Sequence, residues 1–95
     1  IKIHNKYTAE IYNVGVLEEY HRNGIGSKLL LETENYLKEN GYKFLTVKTL
    51  DESVEYEPYE RTRAFYYKNG FYPIEVFPLY WNEDNPCLLL AKYIG

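Results

Sequence analysis

The run Val16-Leu17-Glu18-Glu19-Tyr20-His21-Arg22-Asn23-Gly24-Ile25-Gly26-Ser27-Lys28-Leu29-Leu30 constrains the chain more than any other. An apolar strand gives way to a short polar loop, then to two glycines one residue apart, then at once to a helix with an apolar stripe. Such a sequence presents unpaired backbone N–H groups at a helix start, where they and the macrodipole attract a phosphate. Glycine at 24 and 26 removes the Cβ atoms that would hold a bulky anion away from the backbone. The bland alternative is that the pair merely makes a tight turn. Two familiar phosphate-binding patterns do not fit. The dinucleotide fingerprint needs a third glycine where Leu29 stands, and the P-loop needs Gly-Lys-Ser/Thr, whereas Ser27 and Lys28 follow Gly26 in the wrong order.

Ninety-five residues make at most one domain, and a chain of this size buries only about 60–65% of its unfolded surface. With 45% hydrophobic and 26% charged residues it belongs among soluble globular proteins rather than disordered ones. No apolar run approaches the roughly 20 residues of a membrane-spanning helix, and none reads as a signal peptide. The net charge of −3 comes without a lysine or arginine block, which argues against nucleic acid as a partner. Cys87 is the single cysteine and cannot form an internal disulfide, so a cytoplasmic location is expected. His4, His21 and Cys87 make no zinc pattern, so no metal is implied. Twelve tyrosines and no methionine read as amphipathic packing, rings buried and hydroxyls wet.

Along the chain, Ile1-Lys2-Ile3 looks like the end of a strand, residues 4–7 like a turn and 9–16 like a strand, with a bulge or close approach at Gly15. A helix is predicted from Gly24 to about Asn40, with Ile25, Leu29, Tyr36 and Leu37 inward and Glu32, Glu34 and Lys38 toward water. Gly41 ends it in the left-handed C′ position. Phe44 to Thr49 is the next strand, reached by a crossover, so a parallel βαβ unit follows. The phosphate site then lies at the carboxyl edge of the sheet. After an acidic connector, Pro58 suits the first turn of a second helix, which sets Thr62, Phe65, Tyr66 and Asn69 on one face before Gly70. Residues 71–77 form a strand whose Pro73 marks an edge or bulge. After a turn at 82–86, residues 87–94 return as a buried antiparallel strand, and Cys87 reads as a core thiol. The predicted fold is α/β (α+β), a mixed sheet in the order strand-helix-strand-helix-strand-strand.

Two motifs carry a family resemblance. His21-Arg22-Asn23-Gly24-Ile25-Gly26 resembles the acyl-CoA-binding pattern Gln/Arg-x-x-Gly-x-Gly/Ala of the GNAT N-acetyltransferase superfamily, with His21 where the pattern has Gln or Arg. Phe65-Tyr66-Tyr67-Lys68-Asn69-Gly70-Phe71 is similar to the Phe-Tyr-x-x-x-Gly-Phe of the helix that follows. The resemblance implies a single GNAT-type domain over 1–95, corresponding to the second half of a complete family domain, whose first strands and two helices would lie upstream of Ile1.

What the resemblance implies is acetyl transfer from acetyl-CoA to a primary amine of a small molecule or peptide. The cosubstrate would be held by Val16, Leu17, His21, Arg22, Asn23, Gly24, Ile25, Gly26 and Ser27. An amine of pKa about 10.4 must lose a proton before it attacks a thioester, and the departing thiolate must gain one. Tyr66 matches the tyrosine placed near the thioester sulfur and would be the general acid; the alternative is that it serves packing. Glu10 matches the strand glutamate used as general base in some members, its pKa raised by desolvation; the alternative is an ordinary solvated charge. Backbone amides of Val16 and Leu17 would serve the pantetheine and the thioester carbonyl. His21 is a weaker candidate base, since the motif sets it against phosphates. The acidic residues Asp51, Glu52, Glu55, Glu57 and Glu60 are either a solvated loop or a field that draws a cationic acceptor. Two other readings stay open: a catalytically weak or inactive CoA-binding module, and a half-domain completed by another chain. A homodimer through the exposed edge at Ile1–Ile3 is a form of the latter.

Overall fold

The computed structural model describes residues 2–11 and 24–95. In chain order it has β1 (Lys2–Ile3), β2 (Thr8–Ile11), α1 (Ile25–Glu39), β3 (Phe44–Leu50), α2 (Glu57–Lys68), β4 (Tyr72–Asn82) and β5 (Asn85–Tyr93). The strands form one mixed sheet in the order β1-β2-β3-β5-β4. β2 and β3 are parallel, pairing Thr8 with Phe44 and Ile11 with Val47, as the predicted crossover requires. The other pairings are antiparallel. The strand foreseen over 9–16 is described only as far as Ile11; its remainder, and the loop up to Asn23, lie outside the described residues.

Strand alternation divides the sheet into two chemically different faces. Ala9 and Ile11 of β2, Leu45 and Val47 of β3 and Leu88 and Leu90 of β5 share one face and are all buried. Leu30 and Leu37 of α1, Phe65 and Tyr66 of α2, Phe71 and Ile94 complete the same cluster, so both helices pack on this side. The opposite face carries Glu10, Thr46 and Lys48.

The helix ends follow local chemistry. Asn40 and Gly41 close α1, Gly41 at φ 87°, where Tyr42 N–H donates to the Leu37 carbonyl at 3.0 Å. Gly70 closes α2 in the same way at φ 91°, with Phe71 N–H donating to Tyr66 at 3.0 Å. The buried stripe of α1 is rotated from the predicted one. Leu29 and Tyr36 are 40% and 64% exposed, whereas Leu30, Glu34 and Leu37 face the sheet. The cause is a partner that local sequence does not reveal: Lys92 of β5 meets Glu34 Oε1 at 2.8 Å and makes its burial tolerable.

β4 is an edge strand, and its register slips between Pro73 and Glu75 and again between Phe77 and Asn82, in line with the bulge expected at the proline. Cys87 is fully buried at the start of the antiparallel return.

Candidate functional site

The start of α1 is open. Gly24 is its N-cap, at φ 73°, with no side-chain cap, and no acidic residue stands in the first turn. The left-handed backbone explains the glycine, since among the described residues a Cβ at this position would meet nothing within 4 Å. The first-turn amides of Ile25, Gly26 and Ser27 therefore have neither intrahelical acceptors nor a cap from Gly24. Val16, Leu17, His21, Arg22 and Asn23, the rest of the expected cradle, lie outside the described residues.

The second motif lies against the first. Asn69 Nδ2 donates to Ser27 Oγ at 3.3 Å and to the Phe65 carbonyl at 2.8 Å, tying the end of α2 to the first turn of α1. One turn earlier, Tyr66 is fully buried, with Phe65 and Phe71 edge-on at 5.2 and 5.1 Å. Its hydroxyl has no hydrogen-bond partner among the described residues. Burial lifts the phenol well above its ordinary pKa of 10, so it keeps its proton. A buried hydroxyl left unpaired costs about 1–3 kcal/mol, a penalty that packing alone does not explain.

Glu10 sits on the opposite face of the sheet, in a pocket of about 360 Å³ lined by Glu10, Ile11, Lys48, Tyr80 and Trp81. Its Oε1 accepts from Lys48 Nζ at 2.8 Å, His4 Nε2 at 2.9 Å and Thr46 Oγ1 at 3.4 Å. Burial pushes the carboxyl up, but the hydrogen bonds and charges of Lys48 and His4 outweigh it, and Glu10 lies below its ordinary range. This corrects the expected direction: desolvation was to raise it, and two neighbours invisible in local sequence lower it. Lys48 is raised, since Glu10 and Tyr80 outweigh the opposing effect of burial. Its ammonium also lies 5.2 Å from the centre of the Tyr80 ring, and Trp81 stands edge-on to Tyr80 at 5.6 Å.

Sequence reasoning missed Lys48, Tyr80 and Trp81. One signal was present: Lys48 shares the phase of Thr46 and alternates with buried Leu45 and Val47, so it had to share a face with whatever polar group β2 offered. Arg63 was also missed. It is buried, and its Nη1 donates to the carbonyls of Leu50 and Asp51 at 2.7 and 3.3 Å, fastening α2 beneath the end of β3.

Part of the acidic connector is tied down. Asp51 Oδ2 accepts from Ser53 N–H and Oγ at 3.2 and 2.8 Å, and Glu52 Oε1 accepts from the Tyr67 hydroxyl at 2.8 Å. Tyr67 is half-buried against the core. Among the described residues no cluster of three or more His, Cys, Asp or Glu could hold a metal ion, and no helix is long and apolar enough to cross a membrane.

This arrangement of a mixed sheet with a glycine-headed helix after a parallel strand is found in known proteins. A sequence model described as acetyltransferase (GNAT) domain matches residues 1–73. The chain belongs to the GNAT acetyltransferase family. No curated protein matches it by sequence. Among solved structures it is similar to a protein assigned to the GNAT family from Desulfovibrio desulfuricans, with a TM-score of 0.78 and 18% identity over 97% of this chain and 55% of the other. It is also similar to Ard1 from Thermoplasma volcanium, with a TM-score of 0.71 and 16% identity over 97% of this chain and 58% of the other. An aminoglycoside 6′-N-acetyltransferase complexed with coenzyme A gives a TM-score of 0.74 and 19% identity over 98% of this chain and 62% of the other. The chain thus spans 55% to 62% of the length of these structures.

Proposed function

We propose that the chain takes part in transfer of an acetyl group from acetyl-CoA to the primary amine of a small molecule or peptide, as one GNAT-type unit over residues 1–95. The single observation that carries the reading is the buried hydroxyl of Tyr66, without a partner among the described residues and one helical turn from the residue that touches the glycine-headed start of α1. An uncapped helix start without a first-turn acid suits a pyrophosphate, and an orphaned phenol suits a sulfur that must be protonated. The comparison structure that holds coenzyme A has the same fold. When bound, acetyl-CoA supplies an acyl group on a thiol leaving group.

The rest is the work of this chain. Gly24, Ile25, Gly26 and Ser27, with His21, Arg22 and Asn23 before them, hold the phosphates through backbone amides and one cation. Amides of Val16 and Leu17 donate to the thioester carbonyl and so favour the charge that develops there, an effect of about 2.7–4 kcal/mol per donor. Tyr66 gives its hydroxyl proton to the departing sulfur and regains one from the amine nitrogen, which sheds its second proton as the amide forms. Glu10 hydrogen-bonds the acceptor's ammonium and passes its proton on to water in the open pocket, since a carboxylate held low does not store a proton. We place this chemistry in the cytoplasm.

Isothermal titration with acetyl-CoA and CoA, followed by thiol release across an amine panel, tests the proposal. Binding together with amine-dependent thiol release is expected. Binding without release would assign a CoA-binding module instead, and no binding at millimolar ligand would remove the cosubstrate altogether.

A further inference from the structure

The floor of the Glu10 pocket has hydrogen-bonding capacity of both signs to spare. All three donors to Glu10, from His4, Thr46 and Lys48, converge on Oε1, and no described residue donates to Oε2. Lys48 has three N–H donors. Among the described residues one goes to Glu10, which leaves two, and the ammonium lies 5.2 Å from the centre of the Tyr80 ring. A spare anionic acceptor thus lies beside a spare cationic donor, within a pair whose nitrogen and oxygen are 2.8 Å apart. The pair is formally neutral. A simple amine would find Glu10 but be repelled by Lys48, and a simple carboxylate would meet the reverse. A ligand with an ammonium and a carboxylate on neighbouring atoms satisfies both at once.

The walls restrict the choice further. Tyr80 and Trp81 line the pocket and are 54% and 46% exposed, so its wall is accessible aromatic surface. At about 360 Å³ the pocket lies at the small end of the roughly 300–1,000 Å³ typical of ligand sites. We infer that the pocket formed by Glu10, Lys48, Tyr80 and Trp81 is the acceptor subsite and that it selects free α-amino acids with an apolar side chain. The inference rests on the acetyl-transfer reading for the word acceptor, but the recognition it describes does not need acetyl-CoA.

Trp81 is the only tryptophan in the chain, so its fluorescence reports on this pocket alone. The test titrates the chain, without acetyl-CoA, with L-leucine, with L-leucinamide, which lacks the carboxylate, and with 4-methylpentanoate, which lacks the ammonium. Leucine is expected to bind at least about tenfold tighter than either analogue, the value of one charge-assisted hydrogen bond. Lys48→Gln should erase the preference over leucinamide and Glu10→Gln the preference over 4-methylpentanoate. Lys48→Arg, which keeps the cation, should retain most of the first preference and guards against a variant that merely fails to fold. Equal binding of leucine and leucinamide by the unmodified chain, or no fluorescence response to any of the three, overturns the inference. Acetyl-CoA binding measured in parallel separates the two claims: if it persists while leucine fails, only the subsite falls.

Discussion

Tyr66 and Glu10 are both buried polar residues, and their surroundings give them opposite characters. Tyr66 has aromatic neighbours and, among the described residues, no hydrogen-bond partner, so Tyr66→Phe removes a desolvation penalty along with the hydroxyl. The variant should be as stable as the parent or more stable, by up to about 1–3 kcal/mol, in a denaturant titration. Its rate of acetyl transfer should fall by about 10²–10⁴, the usual weight of a general acid. A variant that gained stability and kept its rate would make Tyr66 a packing residue. Glu10 is held below its ordinary 4.5. Its contribution to stability is therefore complete above about that pH and is lost as pH falls through the depressed folded value. Lys48, raised above 10.5, contributes below that value and loses its contribution as pH rises through the raised one. Thermal melts from pH 3 to 7 should show the parent losing stability below about pH 4.5 more steeply than Glu10→Gln does. The burial of Tyr66 could be read from the chain because Thr62, Phe65 and Tyr66 repeat at helical spacing. The state of Glu10 could not, because Thr46 and Lys48 reach it only through the register of β2 against β3.

At the scale of the element, the start of α1 depends on a backbone geometry rather than on a side chain. Gly24→Ala meets no steric obstacle among the described residues, and its effect comes from the left-handed φ. A loss of about 1–2 kcal/mol is expected, readable in chemical denaturation, together with weaker CoA binding by calorimetry as the first turn shifts. Asn69→Ala should reduce CoA affinity less, since it frees Ser27 without altering the backbone. The ends of both helices were legible because Gly24, Asn40-Gly41, Pro58 and Gly70 act locally. The phase of α1 was not. Leu29 and Leu30 are equivalent to any periodicity argument, and the choice between them was made by Lys92, fifty-eight positions beyond Glu34.

For the whole molecule, the parallel pairing of β2 with β3 and the hairpin of β4 and β5 were both legible, the first from a crossover, the second from a short turn. The insertion of β5 between β3 and β4 was not, since a hairpin can join a sheet by either strand; burial decides it, β5 carrying Leu88 and Leu90 to the core while β4 stays largely exposed. Cys87 records the integrity of that arrangement. It is fully buried at the register position opposite Leu50 and Phe77, and burial pushes its thiol above the ordinary range. Labelling by a thiol reagent should therefore be slow in the folded chain and rise in parallel with loss of far-ultraviolet dichroism across a denaturant series. Labelling well ahead of that transition would show that the β3–β5 seam opens on its own.

The contact of Asn69 with Ser27 has a further consequence for how such a protein diversifies. Together with Arg63 on the Leu50 and Asp51 carbonyls and Tyr67 on Glu52, it fastens α2 both to the first turn of α1 and to the end of β3. Residues 10, 48, 80 and 81 take no part in these fastenings, so under the proposed reading they can drift under selection for a different amine while α1 and α2 keep their relation.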